Sequence, residues 1–84
     1  MDISLIIIGR NTLDSLKSVL AAINQSKFNN NCEVIYVDDA SSDGSVNYFN
    51  SFNLKFDKKV FSFSKKRGRV VARQKAIDLS SYDW

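Results

Sequence analysis

Val34-Ile35-Tyr36-Val37-Asp38-Asp39-Ala40-Ser41-Ser42-Asp43-Gly44-Ser45 runs from a short apolar segment into two adjacent carboxylates and then into a turn of small residues. This is the pattern of a buried parallel strand whose carboxyl end opens on a ligand crevice, the place where open α/β sheets bind ligands. One stretch thus proposes a fold class and a site together.

Working outward, Ile3-Ser4-Leu5-Ile6-Ile7-Ile8 is nearly continuous and β-branched, which suits a strand covered on both faces, and Gly9 ends it. Asn11 or Thr12 is placed to cap a following helix, with Asp14 in its first turn. Leu13, Leu16, Leu20 and Ile23 form its apolar stripe, with Lys17 and Asn24 off it; the helix should fade near Gln25-Ser26, before a turn at Asn29-Asn30-Asn31. The second strand is predicted over Glu33 to Val37, followed by a Ser41 to Gly44 loop in which Ser42 or Asp43 caps a second helix with Val46, Phe49 and Phe52 on its apolar side. Asn53 to Lys59 reads as a polar connection, Val60-Phe61-Ser62-Phe63 as a third strand, Lys65-Lys66-Arg67-Gly68-Arg69 as a basic loop and Val70 to Leu79 as a third helix. The order βαβαβα predicts a Rossmann-like, three-layer α/β half-domain on a short parallel sheet, with residues 1–84 as a single domain.

Composition removes several alternatives. Hydrophobic residues make up 44% of the 84 and charged residues 25%, the balance of an ordinary globular domain rather than a disordered chain. The formal net charge of +3 suits an anionic ligand without implying nucleic acid. Cys32 stands alone and there is no histidine, which excludes an intrachain disulfide, a multi-cysteine zinc site and histidine acid–base chemistry within these residues. Ile3 to Ile8 is too short to span a bilayer and has no basic segment before it, so a cytoplasmic location is expected and membrane attachment through this segment is not. Gly-x-Gly-x-x-Gly, the Walker A loop and the Gly-x-Ser-x-Gly elbow are all missing.

Three loops leave the carboxyl ends of the predicted strands, carrying Gly9-Arg10-Asn11, Asp38-Asp39 and Lys65 to Arg69. A carboxylate pair facing a basic loop suits a nucleotide: carboxylates accept from ribose or base donors, and arginine and lysine meet a diphosphate. Asp39, leading an exposed loop, is the favoured ligand contact, whereas Asp38 has the alternative of satisfying backbone amides at the turn. Asn11, Asp43 and Ser45 suit turn and capping duties, Arg73 can be a plain surface residue, and the basic run can be a solvated loop. Cys32 has no evident redox task.

The Ile3–Asn11 strand and turn, Val19 to Ser26, the Val37-Asp38-Asp39-Ala40-Ser41-Ser42-Asp43-Gly44-Ser45 stretch and Arg67 to Ile77 together resemble the start of family 2 glycosyltransferases of the GT-A fold. The resemblance covers essentially the whole chain. It implies a nucleoside diphosphate sugar, most often a uridine diphosphate sugar, as donor. It implies that Asp39, with Asp38 beside it, contacts the uracil or ribose, that Ile8, Gly9 and Arg10 lie near the base, and that Arg73 with Lys66 or Arg69 holds the diphosphate. Arg10 stands where the family usually has Tyr, Gln74 where it has Asn and Ala76 where it has Gly. The family's Asp-x-Asp metal motif, which binds magnesium or manganese, follows a fourth strand; Asp83 precedes such a strand and is not that motif. The implied metal therefore belongs to a longer relative, no catalytic residue is assigned among these 84, and the chain alone is expected to transfer no sugar. An alternative is a stand-alone half-domain that binds nucleotide or another protein, self-associating through an open sheet edge. A signalling receiver domain does not fit, because the acidic pair follows the second strand and Phe61-Ser62-Phe63-Ser64 has no Asp.

Overall fold

The computed structural model describes residues 3–26 and 32–80. Strands β1 (Ile3–Gly9), β2 (Cys32–Asp39) and β3 (Asp57–Phe63) alternate with helices α1 (Leu13–Gln25), α2 (Ser45–Ser51) and α3 (Arg69–Leu79). The sheet is parallel in the order β1-β2-β3. Every residue of β2 is buried, as a central strand covered on both faces requires. The α/β half-domain predicted from the sequence is the observed architecture.

Strand alternation divides the core. Val34 and Tyr36 of β2 pack with Leu16 and Leu20 of α1 and Phe49 of α2. Ile35 and Val37 face the other way, against Ala72 and Ala76 of α3. The two alanines, four apart on one helical face, let α3 lie close over β2 and β1. Ala76, where the resembled family has Gly, is completely buried in this contact.

Besides one-residue extensions of β1 to Gly9 and of α3 to Arg69, two larger differences from the sequence reading stand out. β3 starts at Asp57, not Val60, so the polar connection ends earlier than predicted. Its charged start hides the strand: Lys58 and Lys59 pair with Val34 and Ile35, and each lysine carries its charge outward to a partner. Lys58 Nζ donates to the carbonyls of Phe49, Asn50 and Phe52 at 2.9, 2.9 and 2.8 Å, closing the carboxyl end of α2. Lys59 Nζ lies 3.2 Å from Glu33 Oε1 and donates to the Leu79 carbonyl at 2.7 Å. The second difference is that β2 runs from Cys32 through Asp39, so both aspartates belong to the strand rather than follow it. The predicted Asn29–Asn31 turn and the segment containing Asp83 lie outside the described residues.

Candidate functional site

The register Gly9↔Asp38 and Asp39↔Phe63 brings the carboxyl ends of the three strands level, and their loops meet on one rim. The first two loops are tied together. Asn11, in the left-handed region at φ 54°, donates its N–H to Ser41 Oγ at 2.7 Å and accepts from the Ser42 N–H at 2.8 Å. Asp43 accepts from the Leu13 N–H at 3.0 Å, the Ser45 N–H at 3.1 Å and the Ser45 hydroxyl at 2.5 Å. One carboxylate thus meets the first turns of both α1 and α2. Capping of α1 by Asn11 or Thr12 is not observed: Asn11 is spent on the second loop, and Thr12 at the N-cap position makes no side-chain capping bond. A Cβ at Gly9 would stand 2.5 Å from Thr12 Oγ1, so a side chain there requires that hydroxyl to move.

The bonds from the Ser45 hydroxyl, then those from the Leu13 and Ser45 N–H groups, hold the Asp43 carboxyl below its ordinary range against the opposing effect of desolvation. The unfolded chain therefore takes up this proton at a higher pH than the folded one. The stabilisation is complete above the unfolded value of about 4, shrinks as pH falls through it, and vanishes below the folded value. Asp43→Asn is expected to lower Tm at pH 7 by roughly 5 °C and to shallow the acid limb of the Tm–pH curve, with the part due to Asp39 left in place. Melting curves between neutral and acid pH check this; a variant that melts with the wild type at pH 7 contradicts the double-cap role.

The aspartate pair splits across the sheet. Asp38 points to the α1/α2 side and is fully buried, accepting from the Tyr36 hydroxyl at 2.5 Å and the Ser41 N–H at 2.8 Å. Burial first, then the bond to Asp38, pushes the Tyr36 hydroxyl well above its usual pKa. Asp39 points to the α3 side, 5% exposed, and accepts from the Arg67 N–H at 2.6 Å and the Gly68 N–H at 3.0 Å. The Arg67 N–H foremost, with the Gly68 N–H and the charges of Lys66 and Arg10, holds its carboxyl below the ordinary range, against desolvation.

A cavity of about 420 Å³ opens on this rim. The first strand and loop contribute Ile8, Gly9, Arg10 and Thr12, β2 contributes Asp39, and the third loop and α3 contribute Lys66, Gly68 and Arg69. A neighbouring cavity of about 460 Å³, between β1 and α3, is lined by Ile6, Ile8, Arg69, Arg73 and Ile77, so Ile8 and Arg69 join the two. Of the residues singled out in the sequence, Ile8, Gly9, Arg10, Asp39, Lys66 and Arg69 come together in the first cavity. Arg73 lines the second, and Asp38 lines neither. Thr12 and Gly68 were missed as lining residues. Gly68, at φ 93°, had a readable signal, a lone glycine interrupting a basic run where the backbone must turn.

The described residues do not suit a metal ion. Among the described residues no group of three or more His, Cys, Asp or Glu could hold one, and Asp38 and Asp39 lie on opposite faces with separate partners.

The sequence profile of glycosyl transferase family 2 matches residues 4–84. The chain belongs to glycosyl transferase family 2. Among solved structures, this family member superimposes on the mannosyltransferase PcManGT from Pyrobaculum calidifontis, in complex with GDP-Man and Mn2+, with a TM-score of 0.84 and 20% identity. The match covers 94% of this chain and 24% of that one, so the chain spans about a quarter of that enzyme's length; at this identity the likeness shows the GT-A fold alone. No curated protein sequence matches the chain significantly. No helix among the described residues is long and apolar enough to cross a membrane.

Proposed function

We propose that this family 2 chain is the nucleotide-binding portion of a glycosyltransferase that moves a sugar from a nucleoside diphosphate donor to an acceptor. The observation that carries the reading is the cavity in which Arg10, Lys66 and Arg69 converge on one rim from two separate loops beside Asp39 and Gly68. Converging cations match a diphosphate, and the start of α3, whose N-cap Gly68 supplies no capping side chain, adds unpaired N–H groups at the same place. Ile8 and Gly9 give the base an apolar floor with close backbone approach, and the Arg10 guanidinium offers a plane on which to stack. Arg73 lines the adjoining cavity, which Ile8 and Arg69 join to the first, and this supports its helping Lys66 or Arg69 to hold the diphosphate. The donor is a uridine diphosphate sugar by family resemblance.

Transfer itself is a displacement at the anomeric carbon, in which a base accepts the acceptor's proton as the diphosphate departs. The chain spans about a quarter of the length of the mannosyltransferase it superimposes on, which supports a reading in which that base and the acceptor side come from residues beyond these and the chain alone transfers no sugar. In longer relatives a divalent metal would be held by residues beyond these.

A second reading, an interaction module, draws on β1, an edge strand without a charged residue from Ile3 to Gly9, whereas the other edge, β3, opens on Asp57-Lys58-Lys59. Titration of the purified chain with uridine diphosphate, followed by amide shifts and by sedimentation, separates the two. We expect shifts at Gly9, Arg10, Lys66 and Arg69 and no turnover of donor with Mn2+. An oligomer whose amides ignore the nucleotide decides for the module.

A further inference from the structure

Asp39 sits in the wall of the cavity, yet it is not an open acceptor. Its two oxygens are turned onto the Arg67 and Gly68 N–H groups, at 2.6 and 3.0 Å, and it is 5% exposed. Those two amides lie between Lys66 of the third loop and Arg69 at the start of α3, both cations of the cavity. Residues 64–67 are otherwise exposed, and among the described residues no other side chain hydrogen-bonds the backbone of this loop. The turn at Gly68 has φ 93°, a conformation open to glycine but strained for any residue with a Cβ.

We propose that Asp39 is a positioning residue for the donor's diphosphate: by gripping the Arg67 and Gly68 amides it sets where Lys66 and Arg69 stand, rather than meeting the base itself. The proposal rests on the nucleotide-binding reading above and departs from the direct base contact that family resemblance implies. A carboxylate beside an anion site opposes anion binding through its charge. Deleting a mere bystander or base contact would therefore leave pyrophosphate binding unchanged or tighten it. Deleting an anchor weakens it, because the cations lose their geometry.

The experiment is calorimetric titration of the wild type, Asp39→Ala, Asp39→Asn and Gly68→Ala with inorganic pyrophosphate and with uridine diphosphate. Asp39→Ala is expected to weaken both ligands by the same factor, about tenfold. Asp39→Asn, which keeps one acceptor, falls in between. Gly68→Ala strains the same turn without touching the carboxylate and also weakens pyrophosphate. It carries the test, with Asp39→Asn, should the alanine variant fail to fold. In the folded Asp39 variants the Arg67 and Gly68 amides should move upfield and lose protection from hydrogen exchange. An Asp39→Ala protein that binds pyrophosphate as tightly as the wild type or tighter, while losing uridine diphosphate, overturns the proposal in favour of base contact. A wild type that binds neither ligand overturns the nucleotide-binding reading and the proposal with it.

Discussion

Tyr36→Phe is expected to lower the unfolding free energy by about 2 kcal/mol and Tm by about 10 °C, although it removes a single oxygen. The ring of Tyr36 stays in place in the variant, packed 5.2 Å from the ring of Phe49. What is lost is the hydroxyl that donates to Asp38 Oδ1, in a site where both residues are fully buried. The carboxylate keeps the Ser41 N–H on its other oxygen, but the first oxygen has given up water without a replacement. Tyr48→Phe, on a ring only partly buried against the same cluster, is the control and should shift Tm by no more than about 2 °C. Thermal melts and urea titrations of both variants provide the measurement. The double variant Tyr36→Phe/Asp38→Asn should be less destabilised than the two singles added, since the two groups act as one pair. A Tyr36→Phe protein that melts with the Tyr48→Phe control would show that the buried bond contributes nothing.

Arg69→Glu should weaken uridine diphosphate binding at least 30-fold, about 2 kcal/mol, while leaving Tm within about 3 °C of the wild type. Among the described residues Arg69 is the one cation that lines both cavities, and its exposed side chain takes no part in the core. Reversing its charge removes a diphosphate partner and sets a carboxylate against the anion. Lys75→Glu makes the same change in net charge on the same helix, but Lys75 Nζ stands over the Phe61 ring, 4.4 Å from its centroid, and lines neither cavity. Its effect should stay below about threefold and fade with added salt. Equal losses in the two variants would mean that the nucleotide responds only to overall charge and that the cavity is not its site.

The alternation of apolar runs with helical stripes was enough to establish the βαβαβα order, because strand and helix periods are local properties of the chain. The stripe at Leu13, Leu16, Leu20 and Ile23 placed α1 at its observed bounds. The motif from Val37 to Ser45 pointed to the rim where the loops meet, and the basic run opposite two acids pointed to the residues of that run and that pair, Lys66, Arg69 and Asp39, that line one cavity there. In the sequence those acids were told apart only by their place in the loop, which favoured Asp39 as the ligand contact. They are neighbours in a strand, so one must face α1 and α2 while the other faces α3, and which one reaches the cavity depends on the register of β2 within the sheet. Nor could local signals show that Lys58 and Lys59 begin a strand, since their charges are tolerated only because α2, Glu33 and the end of α3 wait for them in space. Asp43 reaching back to α1 and Asp39 holding Arg67 and Gly68 are likewise contacts across about 30 residues, between loops that only the assembled sheet brings together. The sequence by itself determined the elements and the rim; the tertiary structure decided which carboxylate builds the fold and which one stands in the cavity, because burial and hydrogen-bond partners exist only once the strands have paired.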